Sequence, residues 1–179
     1  MMIDIFITDL SAYNEGHLVG KWIQLPLSSF ELSQTLLEVL NEGETICGSD
    51  NHEELFITDY AWNDIDIKDV DEYDSVYNLN EEVGLLYMLD SYKLKAVKFL
   101  LDDGITIDIE DAISRAEDVI IYQNQSMEDV AVALIESCYD LKDIPDLIVN
   151  NIDYDGIARD LEHDGIYWNI DGDVYEYIG

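Results

Sequence analysis

The sequence predicts an α+β protein built as an elongated chain of small modules with an acidic surface. Three observations carry this. Period-2 and period-3.6 apolar patterns alternate along the chain, hydrophobic residues make up 48% of it, and 41 Asp and Glu face only 8 Lys and Arg, for a net charge of −33. Disordered acidic chains lack the aromatic and branched residues a core needs; this one keeps 12 Tyr, 3 Trp and 4 Phe. The acid therefore belongs to a folded surface, where its self-repulsion must be offset.

The first module spans residues 1–61 and reads as α+β. Ile3, Ile5 and Ile7 alternate with Asp4, Phe6 and Thr8 as a strand through Asp9. Asn14-Glu15-Gly16 marks a turn, and His17 to Leu25 returns as a second strand ending at Pro26. Ser28 and Glu31 have the spacing of a capping box. Leu32, Leu36, Leu37 and Leu40 then form a helical stripe that Asn41-Glu42-Gly43 is expected to stop. Glu54 to Tyr60 is a third strand.

Residues 62–103 read as a helical module. After the acid-rich stretch 63–71, Asn80 is expected to cap a helix with Glu81 and Glu82 in its first turn and Val83, Leu86 and Tyr87 inward. A second helix starts near Tyr92, buries Leu94, Val97 and Leu101, and stops at Gly104.

Residues 104–179 read as a C-terminal α+β module. Ile109 to Glu117 is helical, and Val119 to Tyr122 is a short strand. Ser126 opens a helix with Glu128 and Asp129 in its first turn and Val130, Leu134 and Cys138 on one face; Asp155 to His163 forms another. Two strands, Ile166 to Ile170 and Val174 to Ile178, flank the hairpin signal Asp171-Gly172-Asp173. There is no fixed-period repeat.

Composition narrows the function. Net charge is −10, −7 and −16 over the three modules, so the acid is distributed and is not a tail. Such a surface repels nucleic acid and anionic membranes and suits a basic partner. Cys47 and Cys138 make no metal-type spacing or disulfide framework. Met1-Met2-Ile3-Asp4 lacks a basic leader and no apolar run is long enough for a membrane span, so a cytoplasmic protein is expected.

Signals for chemistry are weak. His17, His52 and His163 are far apart, and neither a nucleophile elbow nor a phosphate-binding Gly-rich loop is present, so no enzyme and no cofactor are expected. Paired carboxylates suit glycoside hydrolysis, but with this many acids close pairs arise by chance. Asn151, Asp153, Asp155 and Glu162, with Gly156, match calcium-loop spacing, although position 1 is Asn and the upstream helix is interrupted near Pro145. Calcium binding through residues 151–162 is the alternative reading, and indiscriminate sequestering of basic proteins a third. Strand patterns such as Phe56 with Tyr60, and Tyr167 with Tyr175, assign most aromatics to the core.

The charge has a structural meaning if it is matched to DNA. Duplex DNA carries one charge per about 1.7 Å, so 33 charges correspond to roughly 56 Å, or about 16 base pairs. A compact chain of this length is only about 40 Å across, which favours an elongated body.

The order of certain blocks points the same way. Tyr13-Asn14, Gly16, Gly20 and Trp22, following the first strand, resemble the opening of ArdA antirestriction proteins. Glu53 to Tyr60, Ser126 to Ala131 and Ile152 to Leu161 resemble further blocks of that family, in order along most of the chain. The chain departs from the pattern at Gln24, where the family commonly has Asp, and at Gly156, where it often has a larger residue. The resemblance implies an elongated homodimer of modular protomers, carried by mobile genetic elements and directed at type I restriction–modification enzymes.

A DNA mimic that occupies the enzyme's DNA-binding groove follows as the expected function, with the enzyme as partner and neither nucleic acid nor membrane bound. The candidate phosphate-mimicking acids lie in or near expected helix starts: Asp71, Glu72, Asp74, Glu81, Glu82, Asp108, Glu110, Asp111, Glu117, Asp118, Glu128 and Asp129. Tyr13, Asn14, Gly16, Gly20 and Trp22 are assigned to architecture, with Trp22 in the core.

Overall fold

The structure, a computed structural model, describes residues 3–179; Met1 and Met2 of the expected leader-free start lie outside it. The fold is mixed α and β, with two small sheets, and divides into two compact units. The first ends at Ile113 and the second runs Ser114–Gly179.

In the first unit, strand β1 (Ile3–Asp9) lies between β2 (Gly20–Leu25) and β3 (Leu55–Trp62), both antiparallel to it. The pleat sorts side chains by parity. Ile3, Ile5 and Ile7, with Ile23, Leu25 and Ile57, bury one face of the sheet. That face packs on Leu32 and Leu36 of α2 (Ser29–Cys47) and on Val76, Leu79 and Val83 of α3 (Val76–Leu86). A bulge between Phe6 and Ile7 shifts the β1–β3 register and leaves Thr58 as the extra residue in β3. Its hydroxyl lies 2.7 Å from that of Thr8.

Several elements depart from the sequence expectations for identifiable reasons. The Asp9 side chain caps a short helix α1 (Leu10–Asn14) that precedes the Gly16 turn. Helix α2 opens at the expected Ser28–Glu31 capping box but runs through Asn41-Glu42-Gly43 to Cys47, where Gly48 takes the left-handed conformation at its end. Its buried stripe is Leu32, Leu36, Val39 and Gly43, while Leu37 is exposed. Gly43 therefore permits close packing within the helix and does not end it.

Helix α3 starts five residues earlier than expected, capped by Ser75. Asn80 lies inside it. Its amide accepts from the Leu27 N–H at 2.7 Å and donates to the Leu27 carbonyl at 3.0 Å, tying α3 to the chain after β2. Glu81 and Glu82 are consequently mid-helix residues, and Tyr87 is exposed at its end. Helix α4 (Ser91–Asp102) is capped by Asp90, buries Leu94 and Val97, and is followed by Gly104 with φ of 68°. Leu101 is only half-buried. Helix α5 (Ile109–Arg115) then leads into a 3-10 turn, Ala116–Asp118.

The second unit carries strands β4 (Val119–Tyr122), β5 (Tyr167–Ile170) and β6 (Asp173–Tyr177) in the order β4-β6-β5, all antiparallel. Asp171 and Gly172 both have positive φ in the two-residue turn joining β5 to β6, as the sequence signal demanded. Helix α6 (Met127–Cys138) opens on a Ser126–Asp129 capping box. It buries Met127, Val130 and Ala131; Leu134 is half-buried and Cys138 exposed. A short helix α7 (Asp146–Val149) follows, and α8 (Tyr154–His163) packs with α6 and the sheet through Ala158, Ile157 and Leu161. Glu176 binds the sheet across its strands, accepting from Tyr122 at 2.7 Å and Tyr167 at 2.9 Å. Burial, then the hydrogen bond to Glu176, pushes the Tyr167 hydroxyl up to about 12.

Candidate inhibitory surface

The fold handles its negative charge in two ways: it caps helices with carboxylates, and it keeps them in contact with water. Asp9, Asp90 and Asp153 cap α1, α4 and α8, and Asp140 caps a 3-10 turn. Asp108 accepts from the Asp111 N–H at 2.8 Å at the start of α5. Carboxylates at these ends satisfy orphan N–H groups and face the positive pole of the helix. Among the described residues Asp9 is the only buried carboxylate.

The expected acids occupy several different settings. Asp71, Glu72 and Asp74 lie in the irregular stretch between β3 and α3. There the Asp74 carboxylate accepts from the Asp71 N–H at 3.0 Å, and Asp71 from the Tyr73 N–H at 3.1 Å. Glu81 is exposed on α3, while Glu82 is half-buried and pairs with Lys68 at 2.6 Å. Asp108, Glu110 and Asp111 surround the first turn of α5. Glu117 and Asp118 follow in the 3-10 turn, and Glu128 and Asp129 form the first turn of α6. None of the twelve is buried. Hydrogen bonds from the Ser126 hydroxyl, then its backbone N–H, hold the Asp129 carboxyl below its ordinary range; Ser28 does the same for Glu31.

Three further basic residues are engaged locally: Lys21 with Glu38 at 2.9 Å, Lys98 with Asp102 at 2.9 Å, and Arg159 with Asp155 at 3.2 Å.

The buried carboxylate has a structural role the sequence did not signal. Asp9 accepts the Nδ1–H of His52 at 2.6 Å, and the His52 Nε2 faces the Ser49 hydroxyl at 2.9 Å. Both members of the pair are almost wholly buried, and the second Asp9 oxygen caps α1 by accepting from Ala12 N–H at 2.9 Å. The Ser-His-Asp line is thus a brace joining β1, α1 and the chain before β3. Its imidazole is closed to any substrate.

Two of the residues assigned to architecture, Tyr13 and Trp22, line a cleft. Trp22, Phe6 and Asp59 form one cross-strand row on the sheet face opposite the core. Trp22 meets Phe6 edge-on at 5.4 Å, Tyr13 meets Phe56 edge-on at 5.3 Å, and Tyr73 stacks on Phe56 at 6.4 Å. Phe6, Tyr13, Trp22 and Phe56, together with Leu18, Tyr60, Val70 and Glu72, line a cavity of about 690 Å³. A Cβ on Gly20 would stand 2.7 Å from the Phe6 ring, so glycine is what lets that ring lie against β2. Trp22 is 50% exposed and not in the core. The aromatic expectation fails more widely: Phe56, Phe99 and Tyr175 are buried, whereas Tyr73, Tyr77, Tyr87, Tyr92 and Tyr139 are exposed.

The calcium spacing finds no support. Helix α8 begins at Tyr154, so Asp155 and Glu162 are already helical and separated by about 10 Å along the axis. Asp153 caps Gly156 at 2.9 Å, and Asn151 donates to the Leu147 carbonyl at 2.7 Å. Among the described residues no group of three or more His, Cys, Asp or Glu is placed to hold a metal ion.

The match to the model for the antirestriction protein ArdA covers residues 5–176, and the chain belongs to that family of antirestriction inhibitors. No characterised protein matched the chain by sequence. Among the described residues no helix is long and apolar enough to cross a membrane.

Proposed function

We propose that the chain blocks type I restriction–modification enzymes by occupying the groove that binds DNA. The carrying observation is that among the described residues Asp9 is the only buried carboxylate, so in a chain of net charge −33 the other described carboxylates face or border solvent. Lys and Arg that contact phosphates dominate DNA affinity and read no sequence. Carboxylates strung along an elongated, modular body would engage the same side chains regardless of the enzyme's target site. As a cytoplasmic homodimer the inhibitor would carry −66, the charge of about 33 base pairs, without binding nucleic acid itself. The twelve acids from Asp71 to Asp129 are proposed as part of the phosphate-mimicking set.

A competition assay with labelled duplex DNA on a purified type I enzyme tests this. The inhibitor should displace DNA, and its affinity should fall as salt rises. Exposed ion pairs are worth about 0–1 kcal/mol each, so one Asp→Asn change should cost no more than about fivefold, while neutralising many acids together abolishes inhibition. Salt-insensitive affinity, or binding that leaves DNA in place, would overturn the reading.

A further inference from the structure

We propose that the aromatic cleft on the open face of the first sheet captures an arginine side chain of the inhibited enzyme. The proposal rests on the reading that the partner is basic, and it assigns one localised anchor within an otherwise dispersed contact.

The cleft combines two features that call for a cation with a flat face. Its walls are aromatic: Phe6, Tyr13, Trp22 and Phe56, with Trp22 and Tyr13 about half exposed. Leaving such rings in water forgoes stabilisation that an occupant would recover. Its lip is anionic, with Asp59 beside Phe6 in the cross-strand row and Glu72 from the adjoining stretch. Among the described residues neither carboxylate is paired with a base. One Asp59 oxygen accepts the Tyr60 N–H at 2.8 Å, and the other is left over. Strand alternation turns Lys21, the residue next to Trp22, away toward Glu38 of α2, so the cleft has no cation of its own from β2.

An apolar occupant would desolvate two uncompensated carboxylates at a cost, and a nucleobase would bring phosphates toward a chain of net charge −33. A guanidinium meets both requirements. It stacks on an aromatic face, offers a fork of donors to a carboxylate, and sheds water more readily than an ammonium. The cavity, at about 690 Å³, also has room for the chain segments flanking the side chain. Trp and Arg dominate the tight centres of protein interfaces, and here the Trp is already in place.

The experiment is an NMR titration of the whole chain with three capped tripeptides, Gly-Arg-Gly, Gly-Lys-Gly and Gly-citrulline-Gly, followed at the Trp22 indole N–H. Saturable shifts with the arginine peptide are expected, at least tenfold weaker with citrulline and several-fold weaker with lysine. Asp59→Asn, and Trp22→Ala followed at the backbone N–H groups of Phe6 and Phe56, should each weaken the arginine peptide about fivefold, the first without touching the ring walls. Trp22→Ala should also cost more than tenfold in inhibition, with the Trp62 and Trp168 resonances unmoved. Equal binding of citrulline, no saturation, or a Lys peptide as tight as Arg would overturn the arginine assignment. If the cleft binds nothing while salt-sensitive displacement of DNA persists, the cleft proposal fails and the groove reading stands. If arginine binds but DNA is not displaced, the groove reading fails instead.

Discussion

Replacing Gly43 with alanine puts a number on the buried brace. A Cβ at that position would lie 1.9 Å from Asp9 Oδ2 and 2.9 Å from His52 Nδ1, so the pair at 2.6 Å cannot persist. Breaking a buried, hydrogen-bonded pair costs about 3–5 kcal/mol. Alanine in a helix interior returns about 1 kcal/mol. The net expectation is a loss of about 2–4 kcal/mol, which for a urea slope of about 2 kcal/mol/M lowers the midpoint by roughly 1–2 M. Fluorescence in a Trp168→Phe background isolates the first unit, since Trp22 and Trp62 both lie there. Gly84→Ala in α3 is the control. Its nearest neighbour would be Pro26 Cβ at 4.0 Å, so it should be neutral or stabilise by up to about 1 kcal/mol. A Gly43→Ala midpoint equal to or above that of the unaltered chain would refute the reasoning.

Two further outcomes follow from the hydrogen bonds. Asn80→Ala removes both partners of the Leu27 backbone and should destabilise the first unit by about 1–3 kcal/mol in the same urea assay. Glu31 and Asp129 are held below their ordinary carboxyl values by Ser28 and Ser126. The folded state thus prefers their charged forms: this stability is present above about pH 4.5 for Glu31 and 3.8 for Asp129, and is lost as pH falls through the lower folded values. Ser28→Ala with Ser126→Ala should flatten the acid limb of a stability–pH curve measured by circular dichroism, and an unchanged limb would contradict the assignment.

What could be read from the sequence was what short-range physics dictates. The β1 alternation, the Ser28–Glu31 capping box, the helix start at Ser126, the β4 strand and the Asp171-Gly172 hairpin each depend on neighbours within a few residues. Asn80 and Gly43 were misplaced because their roles are set across the fold. Asn80 looks like a cap until Leu27 is found beside it, and Gly43 like a stop until Asp9 and His52 occupy the space of its missing side chain. None of the candidate acids is buried, since a charged residue avoids burial wherever the chain goes. Trp22 failed for the opposite reason: its strand alternates correctly, but pattern alone does not say which sheet face a helix will cover.

Carboxylates placed at helix starts bind charge and architecture into one device. Truncating such a side chain to alanine sheds its charge and also frees a backbone N–H at the helix start, whereas asparagine sheds the charge and keeps the acceptor. A neutral, still-folded version therefore takes asparagine, and not alanine, at Asp90, Asp108, Asp129 and Asp153.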